Sequence, residues 1–266
     1  MSVPVLLGHH WRRHRTAFVV LSGSMCLFEW LMTRFAPEAS QTQAFQGLLQ
    51  LIPAPFLDML GGEFAANFNA RGMIGFGYAH PFALMMMGVW AVRVSAGALA
   101  GEIGTGTMDL LAARPVRRSQ MVQAALVALL AGLAVIVMCG WAGTAVGLAT
   151  RPVLAIAPWA YLRIACGLWL LFAAFGAAGL AVSSLRRQGG AAIGVTTGLI
   201  VGSFALNFVA QAWAPIRWTH RFSLFMYYRP EQLYRSGVIT TDSLVLAAIG
   251  VIASAGAFLI FRRRDL

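Results

Sequence analysis

Six apolar stretches, at about residues 16–35, 78–100, 121–149, 158–184, 189–213 and 243–261, take up most of this chain and leave little sequence between them. A helix of roughly 20 residues crosses the hydrocarbon of a bilayer. A water-soluble fold would have to hide all six in one core, yet 59% of the residues are hydrophobic and only 11% charged, too little polar surface to cover it. Hydrocarbon offers no partner to a backbone N–H or C=O, so each span must close its own hydrogen bonds as a helix. The expected architecture is all-α and polytopic, one membrane domain over residues 1–266 with six transmembrane helices.

Charge sets the orientation. Every lysine-or-arginine position is an arginine, 20 in all, and lysine is absent. A P-loop needs a lysine on the phosphates, and Schiff-base or pyridoxal chemistry needs a lysine amine. Neither can be housed here, so any ATP hydrolysis belongs to another chain. With six spans, Arg12, Arg13, Arg15, Arg114, Arg117, Arg118, Arg186, Arg187, Arg262, Arg263 and Arg264 fall on one side in short segments. Arg34, Arg71, Arg151, Arg217, Arg221, Arg229 and Arg235 are spread over longer connections on the other. Short arginine-rich segments stay in the cytoplasm, which places both termini there. The expected location is multi-pass in a bacterial plasma (inner) membrane, arginine-only usage pointing to a GC-rich bacterial genome. The net charge of +11 flanks membrane spans instead of covering a polar fold, so membrane lipids with anionic headgroups are the expected counter-charge and nucleic acid is not.

The polar residues that remain are few. Glu29 and Arg163 fall toward the outer ends of spans one and four, where they can snorkel or pair with each other. Arg93 lies about two turns before the cytoplasmic end of span two. Charges at such depths are costly and mark either structural pairs or a polar path. No serine, histidine and acid set supports catalysis. His9, His10 and His14 stand in a basic tail without thiol or carboxylate help, so no metal site is expected. Cys26, Cys139 and Cys166 sit in apolar runs without CxxC spacing and serve packing. Residues 42–68, with Phe45, Leu48, Leu49 and Ile52 at helical spacing, are expected to lie along the outer surface, the alternative being a reentrant or buried packing segment, and residues 216–236, rich in tyrosine and arginine, are expected at the outer surface as well. Gly72, Gly75 and Gly77 are expected to loosen the chain ahead of span two.

Between spans two and three the segment GEIGTGTMDLLAARPVRRSQ forms an amphipathic island. Ile103, Thr107, Leu110 and Leu111 recur on one side of a short helix over about residues 101–114. Glu102 complements the positive end of its dipole, and Pro115 stops it. The wording of this segment, acid, Gly-Thr, apolar pair, Pro, then Arg, resembles the type-2 ABC exporter permease family. The ending FRRRDL and the stretch SLFMYYRPEQL before the last span resemble it too. The resemblance covers nearly the whole chain and implies that Glu102, Gly106, Thr107, Leu110, Leu111, Pro115 and Arg118 form a coupling helix docked on an ABC nucleotide-binding ATPase subunit. It also implies a second permease subunit, identical or paralogous, with ATP and Mg bound by the ATPase and no cofactor in this chain. The function so implied is outward movement of an amphipathic or hydrophobic compound such as a drug, antibiotic or lipid. The alternative is a non-transporting mechanotransmission or scaffold subunit acting on an outer-face protein. Glu29, Arg93 and Arg163 are the candidates for an intramembrane polar path. The long first outer connection, with Pro53 and Pro55, departs from the simplest form of the family pattern.

Overall fold

A computed structural model describes residues 3–41, 70–104, 106, 117–150 and 156–263, and every regular element among them is helical. Among the described residues six helical segments are long and apolar enough to cross a membrane: His10–Ala36, Ala70–Ala98, Arg118–Ala149, Trp159–Leu185, Gly189–Ala212 and Thr241–Arg262. The surface segment expected over residues 42–68 lies outside the described residues.

Helix α1 (Val3–Gln41) runs through the basic tail into the first span without a break. Pro4 sits in its first turn, where a missing N–H leaves no bond unmade, and no proline follows until Pro37. The second span is divided. Helix α2 (Ala70–Gly77) and helix α3 (Pro81–Ala98) meet at a turn over Tyr78–His80. Proline at position 81 pushes His80 into extended backbone, and its Nδ1 accepts from the N–H of Phe82 at 3.2 Å. The glycines expected to loosen this region instead build α2, with Gly72, Gly75 and Gly77 all buried. Glycine weakens a helix in water, but here it admits the neighbouring α1, and packing decides.

The remaining elements are α4 (Ala100–Gly104), α5 (Arg118–Ala149), α6 (Trp159–Leu185) and α7 (Gly189–Ala212). Two 3-10 helices, Ala214–Phe222 and Leu224–Tyr227, lead to α8 (Pro230–Ser236) and α9 (Thr241–Arg262). Helix α6 is the hub and packs on α3, α5, α7, α8 and α9. Its Tyr161, Ile164, Leu168, Leu171 and Phe172 join Met25, Ile74, Met87, Trp90, Leu133 and Ile136 in one continuous core. Helix α1 lies along α5. Lipid tails are as apolar as the side chains, so helix association in a membrane depends on close packing. Gly140, Gly143 and Gly147 provide it: a Cβ on Gly143 would stand 2.1 Å from the carbonyl oxygen of Cys26, and one on Gly147 2.6 Å from Cβ of Thr33.

Opposite ends of the bundle differ in chemistry. One gathers the start of α1, α4, the start of α5, the α6–α7 joint and the end of α9, and so collects Arg12, Arg13, Arg15, Arg117, Arg118, Arg186, Arg187, Arg262 and Arg263. The other carries the 3-10 helices, α8 and a belt of exposed rings, among them Trp159, Trp213, Trp218 and Phe222. Trp141 donates to the carbonyl of Pro158 at 3.0 Å beneath that belt. Amphipathic rings favour headgroup depth.

Candidate functional site

At the arginine end, α3 stops at Ala98 and Leu99 leaves regular helix geometry before α4 begins. Such a break frees backbone donors inside the protein, where an unmade hydrogen bond costs about 1–3 kcal/mol. Ser183 of α6 meets the demand. Its Oγ accepts from the N–H groups of Leu99 (3.3 Å) and Ala100 (3.0 Å) and donates to the carbonyl of Ala96 (2.9 Å). One turn on, the buried Glu102 forms an ion pair with Arg13 from α1. On the other flank a Cβ on Gly189 would stand 3.0 Å from Cα of Gly101, and Gly104 faces the carbonyl of Arg187. Helix α4 is therefore wedged between the start of α1 and the α6–α7 joint. It ends at Gly104, and Gly106 turns left-handed with φ of 72°, a conformation that favours glycine. Its N–H reaches the carbonyl of Ile103 at 3.1 Å.

Of the residues assigned to coupling, Glu102, Gly106 and Arg118 are described, and Arg118 opens α5. Thr107, Leu110, Leu111 and Pro115 lie outside the described residues. Of the helix expected over 101–114, the described residues show α4 and a left-handed Gly106; the rest lies outside the described residues.

Glu29, Arg93 and Arg163 do not meet. Arg93 is exposed, and its Nε donates to Nδ1 of His14 at 3.1 Å, on the arginine side of the bundle. Arg163 is exposed on α6 and reaches the carbonyl of Tyr234 at 3.4 Å. Glu29 is fully buried on the face of α1 that meets α2 and α5, so its pairing with Arg163 does not occur. The reason is helical phase: the two residues share a depth but point to opposite surroundings. Around Glu29 stand Tyr78, Tyr161 and Tyr228, each with its hydroxyl engaged elsewhere. Burial pushes the Tyr228 phenol, which lies beyond the spans, well above its ordinary value. Nearby, His220 Nε2 lies 2.6 Å from Oδ1 of Asn207 and 3.3 Å from Nε2 of Gln211 on α7, and burial, then Arg229, lowers its pKa.

A body with six helices long and apolar enough to cross a membrane, the third opening on Arg118, is thus in place among the described residues, and the family described as ABC-2 family transporter protein matches residues 18–266. The chain belongs to that family. No curated protein matches it. As an ABC-2 permease subunit it is a multi-pass membrane protein of a transport system. Family resemblance led to Glu102 but not to Arg13, which pairs with it, or to Ser183, which bridges the backbone break before it. Arg13 registers in the sequence only as one positive charge among several, and Ser183 is an ordinary serine ahead of Arg186 and Arg187. Their roles arise from contacts between residues 83 to 89 positions apart, which no local pattern encodes.

Proposed function

We propose that this permease subunit belongs to an ATP-driven exporter that moves an amphipathic or hydrophobic compound, such as a drug, antibiotic or lipid, out of a bacterial cell. A separate ABC ATPase binds ATP and Mg and pushes on the arginine end, which faces the cytoplasm. The observation that carries this reading is the wedging of α4 between α1 and the α6–α7 joint. A force on that turn reaches three spans through an ion pair, a bonded serine and two glycine contacts, none of which stretches far before it breaks. Arg117 and Arg118 support it as well: positive charge at a helix start opposes the dipole, and an anionic surface on a partner or a lipid offsets that cost.

Two copies are expected to form the path. The interior of one chain is filled by α6 and its neighbours, which leaves the space between chains for a passenger. Helix α7 offers the meeting face. Ala192, Thr196 and Ala210 pack it against its own bundle, and Gly190, Gly194, Gly198 and Gly202 line the opposite side, where an added Cβ would meet nothing within 4 Å. Glycine every fourth residue lets two membrane helices approach closely, and a two-fold axis brings this face onto itself.

The test is a charge exchange in proteoliposomes that hold the permease with its ATPase. Arg13→Glu and Glu102→Arg should each lower passenger-stimulated ATP hydrolysis and flux severalfold, and the double exchange should restore much of both. Wild-type coupling in both single variants would sink the assignment. ATP turnover coupled to the elbow without movement of any compound would favour the mechanotransmission alternative.

A further inference from the structure

Glu29 has an environment that neither family membership nor the elbow explains. No part of its side chain reaches the surface, and among the described residues neither carboxyl oxygen has a hydrogen-bond partner. Each described element packed on it contributes a neighbour, and none of these neighbours carries a charge. Helix α2 brings Gly77 and Tyr78, α5 brings Gly140 and Thr144, α6 brings Tyr161, and the end of the second 3-10 helix brings Tyr228. Among the described residues the three phenols are the titratable groups that face it, and all are committed. Tyr78 shares a hydrogen bond with Thr144 (2.9 Å), Tyr161 donates to the carbonyl of Arg71 (3.0 Å), and Tyr228 donates to the carbonyl of Tyr78 (3.3 Å). Thr33 spends its hydroxyl on the Glu29 backbone carbonyl at 2.9 Å. The cations nearby are turned elsewhere: Arg34 lies over the Trp30 ring at 6.0 Å, and His80 caps α3.

Such a carboxyl needs a positive partner. A Cβ on Gly77 would stand 2.6 Å from Oε2 and 3.2 Å from both Cδ and Oε1, and one on Gly140 would stand 3.4 Å from Cγ. The two glycines make room for the carboxyl group on those two sides. No described residue places a cation against it, which leaves a proton as the partner. An ionised carboxylate with no partner in a membrane interior costs several kcal/mol. We propose that Glu29 is a proton-binding site, loaded when α1 is closed against α2 and α5 and discharged when those helices part and admit water. Loading follows from this enclosure alone. Discharge rests on the reading above, in which the permease alternates between two states.

The sign follows from linkage. The closed form holds one more proton per chain than the open form, so acid favours closure and base favours opening. The same proton is lost on unfolding at neutral pH, because a solvated glutamate ionises there. Stability carried by this group therefore falls as pH rises.

Infrared spectroscopy of the purified full chain in lipid nanodiscs at neutral pH tests the loading. The carbonyl stretch of a neutral carboxylic acid should be present in the wild type and absent in Glu29→Gln, which keeps volume and removes ionisation. If that band is unchanged in Glu29→Gln, the carboxyl is ionised and the proposal fails. A second measure compares variants above pH 7, where the histidines no longer titrate: the ratio of the wild-type unfolding constant to that of Glu29→Gln should rise by about tenfold per pH unit, one proton's worth. A flat ratio would also overturn it. Discharge is tested with a pH dye in the complex with its ATPase, where wild type should release a proton per chain on ATP-driven opening and Glu29→Gln should not. A neutral-acid band without that release would retain the site and remove its place in the cycle.

Discussion

The smallest scale at which this permease shows its design is one hydroxyl. Ser183 Oγ makes three hydrogen bonds across the α3–α4 break, so Ser183→Ala leaves two buried N–H groups without that partner. We expect a loss of about 1–3 kcal/mol, read from denaturant unfolding of the solubilised chain, and a weaker link between elbow and α6. Arg163 predicts the opposite. Its guanidinium is exposed and reaches one carbonyl at 3.4 Å, so Arg163→Leu should stay within about 0.5 kcal/mol of wild type in the same assay. The sequence marked Glu29, Arg93 and Arg163 alike, because rarity of charge in an apolar run is visible in one dimension. Their different fates depend on which face of each helix meets a neighbour. That phase is weakly written where all faces are apolar, so the enclosure of Glu29 and the exposure of Arg163 emerge only from the packed body.

Among elements, the α1–α5 seam makes the sharpest demand. A side chain on Gly143 would run into the backbone of Cys26 at 2.1 Å, and backbone cannot rotate aside. Gly143→Leu should separate the two helices and lower thermal stability by more than 2 kcal/mol, within the range for overpacked cores. The spans themselves were legible because hydropathy sums over some 20 residues and tolerates local noise. Their ends were less so. The first helix extends through an arginine-rich tail that looks like a loop by polarity, and α2 forms from glycines that look like a linker by propensity. In both places packing overrides the local preference. The cap formed by the 3-10 helices is tied to α7 by His220, for which burial and then Arg229 favour the neutral ring. A lowered histidine contributes stability that is complete above its ordinary value of 6.5 and is lost as pH falls below it. The fluorescence of Trp218, two residues away, should therefore report loosening of the cap in mild acid, and His220→Gln should flatten that response.

For the molecule as a whole, the distribution of burial bears on the proposed pairing of two chains. Only 11% of the most apolar stretch of α7 is buried within the chain, against 72% for α6. Lipid accepts an exposed apolar helix, so exposure alone does not demand a partner. The glycines do. Each costs a helix interior up to about 1 kcal/mol relative to alanine, and a lipid-facing surface gains nothing from lacking side chains. Gly190, Gly194, Gly198 and Gly202 keep to one side through three successive four-residue steps, away from the bundle. A second copy that approaches along this side recovers in helix–helix contact what the glycines give up in propensity. Replacing Gly194 and Gly198 together with leucine separates the two explanations. Both positions open onto empty space within the chain, so the monomer should fold and unfold as wild type does. Single-molecule photobleaching in nanodiscs should then count one chain where the wild type shows two, and transport with the ATPase should be lost together with pairing. If the double variant still pairs, α7 is not the seam, and the sparsely buried α9 becomes the face to substitute next.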